Sequence, residues 1–120
     1  MLMIKEVAFI AIAVSDKDRA RKFYQETLEL KPTRTQMGGA WVEYDIGPTT
    51  IGVGSHPAWQ PSRDGTTVAF EVDDFDAAYA KLKERGIEWD IDKTETPVCW
   101  MAQFRDPDGN KLVIHQRKKT

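Results

Sequence analysis

The sequence predicts an α+β domain of two tandem βαβββ modules, which form a cupped, mostly antiparallel eight-stranded sheet with two helices outside it. Two observations support this prediction. Each half of the chain contains an apolar strand, an amphipathic helix and three short strands in that order, and the halves match at an offset of 58 residues. A chain of 120 residues suits one compact domain, to which we assign residues 1–120. We expect the first module at 5–54, a linker at 55–65 and the second module at 66–117.

The offset of 58 residues aligns the acidic helix caps and a small helix residue as well as the apolar strand positions. A chance alternation of strands and helices would not require these additional matches. A duplicated module explains all of them. The matched pairs are Ile10 with Val68, Ile12 with Phe70, Val14 with Val72, Asp16 with Asp74, Asp18 with Asp76 and Ala20 with Ala78.

The first module begins with an apolar run at 7–14, which is typical of a strand covered on both faces. Asp16 follows at the N-cap position, where its carboxylate can accept from free backbone amides. Apolar residues at helical spacing then predict a helix that ends before Pro32. Gly38 and Gly39 indicate a hairpin turn. The strands of this module are predicted at 33–37, 40–46 and 50–54.

The second module repeats this order after a linker without periodicity. A strand at 66–72 leads to a cap at Asp74, and Gly86 is expected to stop the helix. The segment 106–110, Asp-Pro-Asp-Gly-Asn, has the composition of a tight turn between the last two strands. The three later strands are predicted at 88–92, 98–104 and 111–116.

Composition narrows the possible partners and the cellular location. With 17 basic and 19 acidic residues the formal net charge is -2, which argues against a nucleic-acid-binding surface. Cys99 is the single cysteine, so no intramolecular disulfide can form and a reducing compartment is expected. No apolar run approaches the roughly 20 residues that span a bilayer, and residues 1–6 lack signal-peptide features. These features predict a cytoplasmic protein without nucleic-acid or membrane partners.

Four short motifs occur in the order and spacing of a known family. They are Ala-Ile-Ala-Val-Ser-Asp at 11–16, Phe-Tyr at 23–24, Val-Asp-Asp at 72–74 and Phe-Arg-Asp-Pro-Asp-Gly-Asn at 104–110. Together they resemble the vicinal oxygen chelate superfamily of glyoxalases, bleomycin-resistance proteins and extradiol dioxygenases, over nearly the whole chain. The resemblance implies the fold but not the chemistry, because one scaffold supports several activities.

The resemblance also implies positions for metal ligands, and these positions hold residues unsuited to a metal. They correspond to Phe9 and Thr67 on the first strand of each module, to Val113 after the last turn, and to a position near Gly52. Phe9 and Thr67 are expected on equivalent central strands, facing the cup. A divalent metal needs converging imidazole, carboxylate or thiolate donors. We therefore expect no metal and no other cofactor.

Two residues are candidates for a catalytic role, Glu43 and His115. Glu43 and Glu71 share the alternation of the cupped face, where a buried carboxylate would have a raised pKa and could act as a general base; the alternative is a position at the rim in water. His115 shares the alternation of Val113, so it is either a base near the mouth of the cup or a residue at its solvent edge. His56 is expected to be a loop residue.

The expected ligand-binding residues line the cup or lie in the linker over its mouth. Trp41 and Trp59 would supply flat walls for an organic ligand, or alternatively anchors in a dimer interface. Cys99 is expected to pack rather than to react, because no basic neighbour activates it, and Trp89 and Trp100 are expected under the helices. The complete predicted set is Phe9, Trp41, Glu43, Trp59, Thr67, Cys99, Met101, Gln103, Val113 and His115.

The leading hypothesis is a protein that binds and sequesters a small, partly aromatic organic molecule without a metal. The alternative is a small-molecule lyase, isomerase or dioxygenase, either cofactor-free or with relocated metal ligands such as Glu43, Glu71 and His115. A pure interaction module has no sequence feature in its favour. The chain is also expected to form a homodimer that covers open strand edges, with Trp41, Trp59 and Met101 near the junction.

Overall fold

The computed structural model describes residue 3 and residues 6–118, so the predicted start of the first module at residue 5 lies outside the described part. The chain divides into two compact units, Met1–Pro61 and Ser62–Thr120. Each unit contains one helix and a four-stranded mixed sheet in the order strand, helix, three strands. The predicted α+β fold of two βαβββ modules is confirmed. No helix among the described residues is long and apolar enough to cross a membrane.

The first unit forms one sheet with strand order β1-β4-β3-β2. Strand β1 is parallel to β4, and the other neighbours are antiparallel. The helix continues into a π-helical turn, and a 3-10 turn connects β2 with β3. The elements are β1 (Ile10–Ala13), α1 (Lys17–Lys22), the π-helical turn (Phe23–Thr27), β2 (Arg34–Gln36), the 3-10 turn (Met37–Gly39), β3 (Trp41–Ile46) and β4 (Thr49–Gly54).

Helix α1 begins where the sequence predicts. Asp16 has an extended backbone, and its Oδ1 accepts from the amides of Asp18 and Arg19 at 3.0 Å each. The bond from the Arg19 amide is the main reason why the pKa of Asp16 is lowered. Strand β1 is shorter than the predicted 7–14, because its parallel pairing begins only where Ile10 meets Ile51.

The second unit has the equivalent strand order, β5-β8-β7-β6, with β5 parallel to β8. Asp74 caps its helix by accepting from the Ala77 amide at 3.1 Å. The helix stops just before Gly86, whose φ of 89° is one that glycine adopts without strain. The elements are β5 (Thr67–Glu71), α2 (Phe75–Glu84), β6 (Ile91–Glu95), β7 (Cys99–Arg105) and β8 (Lys111–Arg117).

Strand β6 starts three residues later than predicted, at Ile91 instead of residue 88. The side chain of Trp89 explains the shift, because its ring stacks on Tyr79 of α2 with centroids 4.8 Å apart. Pairing with β7 begins only when the Asp90 amide donates to the Gln103 carbonyl. The register of this pairing then shifts between Ile91 and Thr94, as it does at a β-bulge.

One face of each sheet packs against its helix. In the first unit Tyr44 stacks on Tyr24 with centroids 6.1 Å apart, and its hydroxyl accepts from Gln25. In the second unit the Gln116 side chain accepts from the Phe75 amide at the start of α2. Side chains alternate along a strand, so the intervening residues lie on the opposite face. We call this opposite face the helix-free face of each unit.

Phe9 and Thr67 both belong to the helix-free faces. Phe9 precedes β1 and contacts the ring of Trp41, while Thr67 pairs with Lys111, which alternates with the helix-facing Leu112. Within each unit, the expectation that these two residues belong to central strands is wrong. Strands β1 and β5 stand at the edges of their four-stranded sheets, because each has only its parallel partner in the sheet order.

Candidate functional site

Four rings form a continuous aromatic cluster on the helix-free face of the first unit. The centroids of Phe9 and Trp41 lie 5.3 Å apart, those of Trp41 and Trp59 lie 5.6 Å apart, and those of Trp59 and His56 lie 5.2 Å apart. The rings differ in exposure: Trp41 is 7% exposed, whereas Phe9 is 47% and Trp59 is 41% exposed, and His56 is exposed as well. The aromatic cluster therefore has one buried ring and three rings that solvent or a ligand can reach.

Two glycines of β4 allow the indoles to lie directly against the sheet. A Cβ on Gly52 would stand 2.2 Å from Cζ2 of Trp41, and one on Gly54 would stand 2.5 Å from Cζ3 of Trp59. No side chain larger than hydrogen fits at either place while the rings keep their positions. Ile51 and Val53 thus face the helix, while the alternating glycines leave a flat surface on the other side of β4, against which the aromatic rings lie.

Hydrogen bonds fix the orientation of the Trp41 ring. Its Nε1 donates to Oε2 of Glu43 at 2.8 Å, and Oε1 of Glu43 accepts from Arg34 at 2.5 Å. Arg34 also donates to Asp45 at 2.7 Å. This chain of polar contacts holds the indole edge in place beside the stacked rings.

Of the two alternatives for Glu43 and Glu71, the buried carboxylate with a raised pKa is not supported. The pKa of Glu43 is lowered, first by the hydrogen bond from Trp41 and then by the one from Arg34. The pKa of Glu71 is lowered too, with the backbone amide of Arg117 as the largest cause. Donors that stabilise the ionised form outweigh desolvation at both carboxylates. Glu43 therefore stays ionised and hydrogen-bonded at neutral pH, which makes it a weak proton acceptor.

An open groove of about 300 Å³ runs beside the aromatic cluster. Strand β1 forms one wall with Ala11, Ile12 and Ala13, and Trp59 and Gln60 form the other. The segment after β4 holds Trp59 in place, since its amide donates to the His56 carbonyl at 2.9 Å and the Ala58 amide donates to Nδ1 of His56 at 3.0 Å. The groove is mainly apolar and has one amide side chain at its edge.

The remaining predicted residues lie on the helix-free face of the second unit. Met101 is directly opposite His115, and Gln103 is opposite Val113, while Thr67 lies at the start of β5. Cys99 is buried, and its Sγ lies 3.1 Å from the Thr96 hydroxyl. Its surroundings are those of a packed side chain.

On this face His115 makes a close contact that the sequence analysis did not anticipate. Its Nδ1 lies 2.6 Å from Oε1 of Glu71, and Oε2 of Glu71 accepts from the Arg117 amide at 2.7 Å. Both residues were named, together with Glu43, as possible relocated metal ligands, but not as a hydrogen-bonded pair. Their pairing depends on the parallel register of β5 with β8, in which Glu71 is the partner of His115.

The residues at the family's metal positions do not fit a metal. Phe9 and Val113 have no donor atom, and the space above Gly52 is filled by Trp41. A relocated site through Glu43 would have to displace hydrogen bonds from Arg34 and Trp41. Across the described part of the chain, no three or more His, Cys, Asp or Glu side chains are grouped as a metal site requires.

The structure thus gathers Phe9, Trp41, Glu43 and Trp59 in the first unit, and the other predicted residues in the second. The sequence analysis missed several contributors to the first site. His56 belongs to the aromatic cluster, and Ala11, Ala13 and Gln60 line the groove. The available signal was the alternation of Ala11 and Ala13 with apolar Ile10 and Ile12, which leaves small side chains on one face of β1.

Comparison with known proteins gives consistent results. Residues 6–114 match the model of the Glyoxalase/Bleomycin resistance protein/Dioxygenase superfamily. The uncharacterized protein YetH of Bacillus subtilis (strain 168) is 24% identical over 126 residues, covering 95% of this chain and 100% of YetH.

Two solved structures from Streptomyces sp. CB03234 are also similar. The antibiotic binding protein TnmS3 is 28% identical with a TM-score of 0.81, over 98% of this chain and 100% of TnmS3. A glyoxalase/bleomycin resistance protein is 29% identical with a TM-score of 0.72, over 94% of this chain and 100% of that protein.

Proposed function

Because the chain belongs to the glyoxalase/bleomycin resistance protein/dioxygenase superfamily, we propose that it binds a small, partly aromatic organic molecule without a metal and sequesters it. The aromatic cluster beside the groove of the first unit is the observation that carries this proposal. Sequestration requires affinity alone, and a stacking wall with few polar groups is the usual construction of such a site.

The cluster is suited to a flat ligand for a physical reason. Trp41 is held by its contact with Gly52 and by its bond to Glu43. The ring of Trp59 packs against Trp41, so little side-chain entropy is lost when a ligand stacks on Trp59. Trp59 presents its exposed ring at the wall of the groove. Aromatic pairs contribute about 0.5–1.5 kcal/mol each beyond the area they bury. A ligand with a planar apolar part and a hydrogen-bonding group for Gln60 matches this wall.

TnmS3, whose fold is similar over its whole length, is an antibiotic binding protein. Its similarity supports a small organic ligand of the kind to which antibiotics belong. The chemistry of the family's metal positions supports independence from metal, since phenylalanine and valine cannot coordinate one.

A thermal-shift screen of planar natural products with the purified chain tests the proposal. A compound present at 100 times its Kd stabilises the native state by about 2.7 kcal/mol, which corresponds to a rise in Tm of roughly 10 °C for a chain of this length. Positive compounds are then titrated by calorimetry with and without EDTA, and the same Kd is expected in both. Loss of binding in EDTA, together with stoichiometric zinc, nickel, manganese or iron in the purified protein, would contradict metal independence.

The chain is further proposed to act as a homodimer in the cytoplasm, where its free Cys99 stays reduced. Large apolar side chains at the surface, among them Phe9, Trp59 and Val98, favour a partner surface. Sedimentation at micromolar concentration is expected to give twice the chain mass. We expect Trp41, Trp59 and Met101 near the dimer interface. A monomer that binds its ligand tightly would confine the binding site to one chain.

A further inference from the structure

The helix-free face of the second unit holds a carboxylate and an imidazole in a fixed arrangement. Glu71 uses both oxygens, one on Nδ1 of His115 at 2.6 Å and one on the Arg117 amide at 2.7 Å. The Val72 amide donates to the His115 carbonyl at 2.8 Å, which ties the end of β5 to the same point of β8. The carboxylate is therefore held by one backbone amide through one oxygen, and it orients the imidazole ring through the other.

The arrangement selects one tautomer of His115. The pKa of Glu71 is lowered by the Arg117 amide and then by His115, so the carboxylate is ionised at neutral pH and can only accept. Nδ1 must then carry the proton that it donates to Glu71. This leaves Nε2 with the lone pair that accepts a proton, which is the arrangement that a general base requires.

The surroundings leave the ring accessible and the carboxylate well placed. The His115 side chain is 26% exposed. Two of its neighbours are apolar, Met101 across from it on β7 and Val113 two residues before it on β8. The charged groups of this face are Glu71 on β5, Asp90 before β6, Arg105 on β7, and Lys111 and Arg117 on β8. Arg117 is the nearest cation, with Nη1 3.8 Å from Oε1 of Glu71.

We propose that Glu71 and His115 form a general base for carbon acids, compounds with a C–H bond next to a carbonyl group. Nε2 of His115 takes the proton, and the C–H electron pair becomes the enolate. The imidazolium then returns the proton to the same carbon from either face, which gives epimerisation or hydrogen exchange without oxidant, reductant or leaving group. His115 is the catalytic residue of this step and Glu71 is its positioning residue. The activity is separate from ligand sequestration in the first unit.

The tautomer is tested by nitrogen-15 NMR of the histidine rings, and the His115→Gln variant assigns the signal. In the wild type we expect the proton on Nδ1. Glu71→Gln keeps an acceptor for the Arg117 amide, but its amide nitrogen donates to Nδ1 and so moves the proton to Nε2. A purely structural role for Glu71 would leave the tautomer unchanged. A wild-type ring protonated on Nε2 at neutral pH overturns the proposal.

The chemistry is tested with 2-tetralone, a partly aromatic ketone, by following deuterium uptake next to its carbonyl in D2O. We expect the wild type to exchange the probe about tenfold faster than His115→Gln, a modest share of what a positioned base provides. Glu71→Gln is expected to fall to a similar rate with its fold intact, and Glu84→Gln is the matched control with wild-type rate. Equal rates for wild type and His115→Gln overturn the proposal. Sequestration is unaffected by either result, because it is measured by binding.

Discussion

Replacing Gly52 with alanine is expected to lower the free energy of unfolding by about 2 kcal/mol, within the usual range for an extra methyl group in a packed core. The new Cβ would lie 2.2 Å from Cζ2 and 2.3 Å from Cη2 of Trp41. The indole ring of Trp41 would have to move away from β4, and its hydrogen bond to Glu43 would be lost or distorted. Urea unfolding followed by circular dichroism measures the change.

A double-mutant cycle separates this steric effect from a general intolerance of β4. Trp41→Ala removes the obstructing ring and is destabilising by itself, because it opens a cavity of the kind that costs about 3–5 kcal/mol. When Trp41 is already alanine, Gly52→Ala is expected to cost far less than in the wild type. Equal costs in the two backgrounds would show that the contact between the ring and the glycine is not the reason for the glycine.

Replacing Trp59 with alanine is expected to weaken ligand binding about 30-fold, which corresponds to about 2 kcal/mol. Trp59 forms a wall of the groove and is one of the exposed rings of the aromatic cluster. Its ring is 41% exposed, so its removal should change stability much less than affinity. Calorimetric titration with a compound identified by the thermal-shift screen gives the Kd.

Trp100→Phe is the matched control, since Trp100 belongs to the other unit and its ring lies below the ammonium groups of Lys93 and Lys118. The Trp100→Phe variant is expected to bind the same compound with the Kd of the wild type. If Trp59→Ala binds as tightly as the wild type, the ligand does not use the groove of the first unit. Sequestration would then have to be assigned to another surface.

The duplicated modules carry different chemistry on equivalent strands. Strands β3 and β7 begin at Trp41 and Cys99, which are related by the same offset of 58 residues. By the same offset, Glu43 corresponds to Met101 in the second module. One module thus has a ring and its hydrogen-bonded carboxylate where the other has two sulfur-containing apolar residues. This divergence agrees with the rule that a scaffold fixes positions while individual side chains fix function.

The order of the elements was determined by the sequence alone. Helix starts at Asp16 and Asp74 depend on short-range hydrogen bonds, which neighbouring residues decide. The stop at Gly86 depends on a local backbone angle, and the apolar alternation predicts which residues share a face. The offset of 58 residues identified the duplication for the same reason, because the two halves share the same local pattern of apolar residues and helix caps.

Only the tertiary structure decided which functional side chains meet. The contact of Glu71 with His115 joins residues 44 positions apart and depends on the parallel register of β5 and β8. Donors from Trp41 and Arg34 lower the pKa of Glu43, which decided between the two alternatives that the sequence left open. The stacking of Trp89 on Tyr79 places the start of β6 later in the chain than predicted. The ring of Trp41 lies against Gly52, which belongs to the neighbouring strand. Each of these outcomes depends on distances between strands and helices, which local sequence preferences do not contain.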